Sequence, residues 1–246
     1  MKIIINGAGG KMGRVLFALI EKNENHTALA LVDPEFETDR KKGVFKNIFE
    51  VLKKADVIID FSFHSAVPVL CSYAVKTKTP LVVATTGHTE REKAIIRSCA
   101  RHIPVFYSAN MSLGVALTVC IAKMTAKAFP EAEIEIVETH HSKKADFPSG
   151  TALMLAESLR LVRPALSVRT GRTPGKVRDK NELFIHSLRL GNSAGSHEII
   201  FALPHETVTI KHEAHNRMLF AEGALKAAEF VFEKEKGLYS AQDILE

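Results

Sequence analysis

Residues 2–14 read KIIINGAGGKMGR. The apolar run predicts a short strand over residues 2–5, and the amphipathic run VLFALIEK at 15–22 predicts a helix. Three glycines, Gly7, Gly10 and Gly13, lie between them and complete the spacing G-x-x-G-x-x-G, whereas strict G-x-G-x-x-G fails because Met12 takes the third position. Strand, glycine turn and helix in this order are typical of a dinucleotide-binding unit, because glycine lets a pyrophosphate approach the backbone.

An acidic residue follows the second predicted strand. The strand covers residues 29–32 and ends in Asp33, twenty positions after Gly13. A carboxylate at this place accepts hydrogen bonds from the adenosine ribose, although an ordinary turn residue remains the alternative. Pro34 follows instead of an arginine, which favours NAD, while the basic run at 40–42 could admit NADP.

Three more predicted strands, at 57–60, 81–84 and 104–107, alternate with helices at 65–77 and 90–100. Such alternation builds a parallel sheet, and ligands then bind beyond the carboxyl ends of its strands. We therefore expect the turns at 84–87 and 108–111 to face the nicotinamide end of a cofactor.

The second half of the chain has a different pattern. A long helix at 113–129 precedes a strand at 133–139, and strands of period two follow at 182–190, 197–203 and 206–214. A helix at 219–234 is expected to pack back on the first domain. The predicted fold class is α/β, with a Rossmann-type parallel-sheet domain (1–111 and 215–246). The second domain (112–214) is predicted to be α+β with a mixed or antiparallel sheet, for substrate binding and oligomerisation.

A compressed polar stretch, ETHHSKKADFPSGTA at 138–152, lies between the strand at 133–139 and an apolar helical run. Ser149 or Thr151 is a plausible helix N-cap. Imidazoles, ammoniums and helix N-terminal amides together suit a small dianion, and histidine exchanges protons near neutral pH. The alternative is that these side chains only decorate a solvated turn.

Composition and charge limit the class of protein that the chain can be. The 246 residues carry a net charge of +5, with 46% hydrophobic and 25% charged residues, which is ordinary for a globular protein. The sequence contains no apolar run long enough to cross a membrane. The first predicted strand begins at residue 2 and leaves no room for a signal peptide, so we expect a cytoplasmic protein. The three widely spaced cysteines indicate buried free thiols, without a disulfide or zinc site. The basic side chains between 160 and 180 indicate a mobile solvated loop and no nucleic-acid surface: Arg160, Arg163, Arg169, Arg172, Lys176, Arg178 and Lys180.

These stretches together resemble the 4-hydroxy-tetrahydrodipicolinate reductase (dihydrodipicolinate reductase) family over nearly the whole chain. Residues 138–152 resemble its signature E-x-H-H-x-x-K-x-D-x-P-S-G-T-A, and GAGGKMGR, VIIDFS, ATTG, SANMSLG and IKHEAHNRMLFAEGAL support it. The resemblance implies reduction of a small dicarboxylate with NADH and/or NADPH in lysine and diaminopimelate biosynthesis. It also implies a homotetramer joined through the second domain's sheet.

The resemblance assigns roles to residues as well. It implies that His140 and Lys144 are catalytic, and that Arg217 is a weaker candidate for the substrate pocket or for subunit packing. Substrate carboxylates would be held by His141, Ser149, Gly150 and Thr151. The cofactor would be held by Gly7, Ala8, Gly9, Gly10, Lys11, Met12, Asp33, Ala84, Thr85, Thr86, Ser108, Ala109, Asn110 and Met111.

The chain departs from the family pattern at three places: Ala84 replaces a glycine, Met111 replaces an aromatic residue, and Leu190 follows Arg189 where glycine is frequent. The first two could change cofactor affinity or preference. Other interpretations are an aspartate-type amino-acid dehydrogenase and a dinucleotide-sensing regulator. We expect no metal site, since adjacent His140 and His141 would point to opposite faces of a strand. Most of the later histidines are expected at sheet edges or interfaces: His186, His197, His205, His212 and His215.

Overall fold

The computed structural model describes residues 1–172 and 174–245. The chain divides into two compact units. Unit 1 comprises Met1–Leu113 and the C-terminal segment that begins at Met218, and unit 2 comprises Gly114–Arg217. The predicted domain boundaries, at 111/112 and 214/215, lie two and three residues from these positions.

Unit 1 is built on a seven-stranded sheet in which all neighbouring strands are parallel. The strands are β1 Lys2–Asn6, β2 Thr27–Val32, β3 Val44–Phe45, β4 Val57–Asp60, β5 Leu81–Val83, β6 Pro104–Tyr107 and, near the C-terminus, β12 Gly237–Tyr239; their spatial order is β12-β6-β5-β4-β1-β2-β3. The helices are α1 Lys11–Ile20, α2 Val67–Thr77, α3 Glu90–Cys99 and α6 Met218–Phe232. The predicted parallel sheet is confirmed.

The central strands of unit 1 are apolar on both faces because helices cover both. Residues 3–5 of β1 and 57–59 of β4 are fully buried, so these strands read as continuous apolar runs without alternation. The C-terminal helix α6 packs on α1 and on β4, β5 and β6, as predicted. The two edge strands β3 and β12 were not predicted, since two or three residues carry no periodic signal.

Unit 2 contains a five-stranded mixed sheet, which confirms the predicted class. Its strands are β7 Glu133–His140, β8 Ser167–Arg169, β9 Glu182–Arg189, β10 Gly195–Ala202 and β11 Thr207–Ala214, in the order β11-β10-β7-β9-β8. Strand β10 is antiparallel to both neighbours, while β9 is parallel to both of its own. Helices α4 Leu113–Ala128 and α5 Gly150–Val162 contribute to the core that buries one face of the sheet.

The predicted solvated loop between 160 and 180 is wrong in part. Residues 167–169 form β8 beside β9, and Arg178 is largely buried. Its guanidinium donates to the carbonyl oxygens of Ile134 (3.1 Å) and Glu182 (2.6 Å) and pairs with Glu135. A charge count cannot distinguish an anchored arginine from a solvated one. Thr173, in the same stretch, lies outside the described residues. Over the described ranges, no helix combines the length and apolarity needed to cross a bilayer.

Candidate active site

The alternation of β7 places two titratable side chains on its helix-covered face. Ile134, Ile136, Glu138 and His140 are the buried positions of this strand, and the residues between them are exposed or half-buried. The sheet register then brings three further side chains beside them. Glu138 lies opposite Ser187 of β9 and His197 of β10, and His140 lies opposite Arg189 of β9. Strand pairing alone therefore assembles a polar cluster in the sheet.

Glu138 is fully buried and accepts hydrogen bonds from Arg189, Ser149, Ser187 and His140. Arg189 binds it in bidentate fashion, with Nη2 2.7 Å from Oε1 and Nη1 2.9 Å from Oε2. The backbone N–H of Ser149 donates to Oε1 (3.2 Å), and His140 Nδ1 lies 2.5 Å from Oε2. Burial alone would raise the pKa of Glu138, but the hydrogen bonds from Arg189, Ser187 and His140 outweigh it and lower the pKa to about 2. The carboxylate is therefore ionised whatever the protonation state of His140.

This carboxylate orients the His140 ring. An ionised carboxylate can only accept, so Nδ1 carries a proton and Nε2 is left to exchange one. Gly195 packs against that nitrogen, since a Cβ built there would lie 3.0 Å from Nε2, and its φ of +152° favours glycine. Burial lowers the pKa of His140, and the charges of Lys144 and Arg189 lower it further, while Glu138 opposes both. Near neutral pH the ring is a proton acceptor until an anion binds nearby.

His197 supports the cluster from β10. Its Nε2 lies 3.0 Å from Ser149 Oγ, and its ring makes an edge-to-face contact with His140 at 5.3 Å between centroids. Burial and the neighbouring His140 lower the pKa of His197 to about 4. The expectation that His197 is an edge or interface residue is wrong, because β10 is an interior strand and the side chain is buried. Ser149 is the N-cap of α5, as predicted: Oγ accepts from the Ala152 N–H at 3.2 Å.

Glu138, His140 and His197 have the residue types of a metal-binding set, and their ligand atoms lie within 4.8 Å of one another. Two ligand atoms bound tetrahedrally at about 2.1 Å would lie about 3.4 Å apart, whereas Glu138 Oε2 and His140 Nδ1 are 2.5 Å apart. The carboxylate is also neutralised by Arg189. The geometry is that of a hydrogen-bonded network.

The remaining cluster residues lie on the loop between β7 and α5. Lys144 Nζ contacts both oxygens of Asp146 at 2.8 Å, and this contact with the ammonium lowers the pKa of Asp146. The turn between β9 and β10 holds the loop through three backbone bonds, Leu190 N to His140 O, His141 N to Ser193 O, and Ser142 N to Gly191 O. His141 is half-buried and Gly150 is exposed at the start of α5. Arg217 is exposed just before α6 and is distant in sequence from this loop.

In unit 1, the predicted glycine turn has the shape that a dinucleotide requires. A Cβ on Gly7 (φ +79°) would lie 2.6 Å from the Ser62 backbone nitrogen, and one on Gly13 would lie 2.2 Å from the Gly7 carbonyl oxygen. Asp33 directly follows β2, and its Oδ2 accepts from the Gly9 N–H at 2.9 Å. Helix α1 begins at Lys11 without a side-chain cap. The backbone is thus packed too closely at Gly7 and Gly13 for any side chain, as in the glycine turn of a dinucleotide-binding unit.

A buried carboxylate that the sequence did not single out organises the edge of this sheet. Asp60 is fully buried at the end of β4 and accepts from Asn6 Nδ2 (2.7 Å), Ser62 Oγ (2.6 Å) and Thr85 Oγ1 (2.9 Å). It therefore ties the ends of β1 and β4 to the turn after β5. Thr86, next along that turn, is exposed.

The second predicted nicotinamide turn, at 108–111, is held by its own polar groups. Ser108 Oγ donates to the Asn110 carbonyl at 2.6 Å, and Ala109 is exposed. Met111 is 3% exposed, so its side chain belongs to the core. A Cβ on Gly223 of α6 would lie 1.7 Å from the Met111 carbonyl oxygen, so α6 fixes this turn by close backbone packing.

Glu138, Arg189, His197 and Asp60 were missed as site residues. Glu138 carries a usable signal, because it stands two positions before His140 and period two places both on one face of the strand. Arg189 and His197 join the cluster only through strand register across the sheet, which short-range pattern does not reveal.

Two family models match the chain end to end. One, described as dihydrodipicolinate reductase, N-terminus, matches residues 1–111, and the other, dihydrodipicolinate reductase, C-terminus, matches residues 114–245. Among curated relatives, a 4-hydroxy-tetrahydrodipicolinate reductase from Caldanaerobacter subterraneus subsp. tengcongensis is 43% identical over all of this chain and 98% of its own. One from Rickettsia bellii is 40% identical over 99% of this chain and 94% of its own.

Solved structures are similar to this chain over nearly its whole length. A dipicolinate-bound dihydrodipicolinate reductase from Paenisporosarcina sp. TG-14 superposes with a TM-score of 0.81 at 25% identity, covering 98% of this chain and 97% of that one. A DAP dehydrogenase from C. glutamicum, at a TM-score of 0.62 and 13% identity over 99% of this chain and 93% of that one, shares the fold alone. From these matches and the assembled site, the chain belongs to the dihydrodipicolinate reductase family.

Proposed function

We propose that this chain reduces 4-hydroxy-tetrahydrodipicolinate (dihydrodipicolinate) to tetrahydrodipicolinate with NADH or NADPH, a step of lysine and diaminopimelate biosynthesis. The observation that carries the proposal is His140, held by the buried Glu138–Arg189 pair beside the N-terminus of α5. The relatives that cover the whole chain are named as this reductase, which favours it over an aspartate-type dehydrogenase or a regulator.

The nicotinamide, when bound, supplies a hydride to the substrate ring. The residues of unit 2 stabilise the negative charge that develops on the substrate and deliver a proton to it. His140 Nε2 is the proton-exchanging atom, because Nδ1 is committed to Glu138. A bound dianion raises the pKa of His140 and so opposes the lowering that burial causes. Lys144, whose ammonium Asp146 holds on the same loop, supplies the second positive charge.

The substrate carboxylates bind at the N-terminus of α5. The backbone of Gly150 and Thr151 lies in the first turn of this helix, where N–H groups and the helix dipole favour anions. A Cβ built on Gly150 would meet no neighbouring atom of the described residues within 4 Å, which leaves space at that point. His141 adds a half-buried imidazole on the same loop. Ser149 acts here as the helix cap, because its backbone N–H donates to Glu138 and its hydroxyl is shared between Ala152 and His197.

The dinucleotide binds to unit 1. Residues 7–12 hold the pyrophosphate, Asp33 the adenosine ribose, and the turns at 84–86 and 108–111 the nicotinamide side. The fit rests on the glycine cradle, in which a Cβ at Gly7 or Gly13 would collide with backbone. We infer use of both cofactors with NADH favoured: Asp33 repels a 2′-phosphate, Lys42 is paired with Asp39, and Arg40 and Lys41 are exposed.

The functional protein is proposed to be a homotetramer assembled through the open face of the five-stranded sheet. Val137 and Ile200 are half-buried on that face and Leu188 is 44% exposed, so apolar area remains for a partner copy. Light scattering coupled to size-exclusion chromatography would report four chains if this is correct and one or two if it is not.

The test of function is a coupled assay that follows nicotinamide absorbance. The preceding enzyme generates fresh substrate from pyruvate and aspartate semialdehyde, and NADH and NADPH are compared. Substrate-dependent oxidation with both, faster with NADH, is expected. A folded protein that binds dinucleotide but oxidises neither in the presence of substrate would contradict the proposal.

A further inference from the structure

Two of the three cysteines meet between the helices α2 and α3 of unit 1. Cys71 lies in the middle of α2 and Cys99 is the last residue of α3, and both are buried and free. The Cys99 thiol donates a long hydrogen bond to the Cys71 carbonyl oxygen, with Sγ 4.0 Å from that oxygen. The two residues are therefore neighbours across the helix pair, whereas Cys120 lies on α4 in unit 2.

The pair lines a surface cavity. The cavity has a volume of about 390 Å³ and is lined by both cysteines, by Lys76 and His102, and by apolar and serine side chains. Hydrogen peroxide is about the size of two waters, each of which takes roughly 30 Å³. A small oxidant therefore has room to reach the sulfurs, although each cysteine is at most 5% exposed.

The two neighbouring thiols differ in pKa. The Cys71 side chain lowers the pKa of Cys99, and burial opposes this only in part. The Cys99 side chain, together with burial, raises the pKa of Cys71. Cys99 is thus the first of the pair to form a thiolate, which is the reactive form.

We propose that Cys71 and Cys99 are a redox-modification site that forms a reversible disulfide when a peroxide enters the cavity. The Cys99 thiolate attacks one peroxide oxygen, the O–O bond breaks, and with one proton a sulfenic acid and a water form. The Cys71 sulfur then attacks the sulfenic sulfur and releases a second water. In sum, two thiols lose two electrons and two hydrogens, and one peroxide becomes two waters. A dithiol reductant restores the pair by exchange.

The bond would join α2 to α3 across the segment that contains β5 and the turn with Thr85 and Thr86. A loop of this length constrains the unfolded chain, so a disulfide formed without strain raises the melting temperature of the protein, by roughly 10 °C. The inference does not depend on the proposed function, because it concerns neither the glycine turn nor the His140 cluster.

Tryptic mapping tests it directly, since each cysteine falls in its own peptide: Cys71 in 55–76, Cys99 in 98–101 and Cys120 in 102–123. The full chain is treated with hydrogen peroxide, denatured, alkylated with N-ethylmaleimide and digested. We expect a linked 55–76/98–101 peptide, two hydrogens lighter than the sum of its parts, which disappears after dithiothreitol. The Cys120→Ser variant should give the same product, and Cys71→Ser and Cys99→Ser should not.

The result that overturns the proposal is equally specific. Both peptides alkylated after peroxide treatment, Cys99 recovered as sulfinic acid, or a linkage to Cys120 would each do so. The wild-type and Cys120→Ser maps decide the matter even if the other two variants fail to fold.

Discussion

Replacing Glu138 by glutamine removes one charge from a fully buried site and leaves the Arg189 guanidinium without its carboxylate. The pKa of Glu138 is about 2 against an ordinary 4.5, and 2.5 units correspond to about 3 kcal/mol. Loss of one partner from a buried pair costs a similar amount, about 3–5 kcal/mol. We therefore expect Glu138→Gln to lower the free energy of unfolding at neutral pH by about 3 kcal/mol, measured by urea titration.

The same change should alter catalysis through His140. Without the carboxylate, neither the ring orientation nor the proton on Nδ1 is enforced, and a fall in kcat of about 10²-fold or more is expected. Because Glu138 raises the pKa of His140, the variant should also shift the His140-dependent limb of the kcat/KM profile to lower pH. A merely structural carboxylate would not move that limb.

Glu135→Gln is the matched control. Glu135 lies three residues earlier on β7, on the opposite face, and it also pairs with an arginine and a histidine, Arg178 and His186. The control should retain wild-type kcat and pH profile even if it loses stability. A folded Glu138→Gln enzyme with unchanged kcat and unchanged pH profile would refute the positioning role of Glu138.

Three further predictions concern Gly195, Gly13 and His197. Gly195→Ala should lower kcat at least about tenfold with dinucleotide affinity unchanged, since its methyl group would lie 3.0 Å from His140 Nε2; equal kcat values would show that the ring tolerates it. Gly13→Ala should weaken dinucleotide binding at least about tenfold by fluorescence titration, because its Cβ would lie 2.2 Å from the Gly7 carbonyl oxygen. Gly171→Ala should bind normally, because its Cβ would meet no atom of the described residues within 4 Å beyond its chain neighbours. His197 has a folded-state pKa of about 4, below the ordinary 6.5, so the unfolded chain takes up its proton first and stability is lost as the pH falls from 6.5 to 4. His197→Gln should reduce that loss by about 3 kcal/mol, measured as the difference in the free energy of unfolding between urea titrations at pH 7 and pH 4. An unchanged difference would contradict a lowered pKa of His197.

Most of the secondary structure and the two-domain organisation could be predicted from the sequence, because the relevant signals are local. The glycine turn, the carboxylate after β2 and the cap at Ser149 or Thr151 are each read within one strand–turn–helix segment. The period-two strands of unit 2 indicated a mixed or antiparallel sheet. The side chains that surround His140 were not all predicted, since Arg189 and His197 come beside Glu138 only through the pairing of β9 and β10 with β7. Likewise, a fully buried Asp60 at the end of an apolar strand looks the same in sequence as an exposed one. The partners of Glu138 and the burial of Asp60 depend on how distant strands pair, which neither propensity nor spacing determines.

We propose that His140 and Lys144 perform the proton and charge chemistry of the reduction. These roles are tested by kcat in the coupled NADH assay for His140→Gln and Lys144→Met, with Lys143→Met as control, because Lys143 is exposed on the same loop. We expect a fall in kcat of about 10²-fold or more for the first two, unchanged dinucleotide affinity in all three, and wild-type kcat for the control. Wild-type turnover in either His140→Gln or Lys144→Met would contradict these roles.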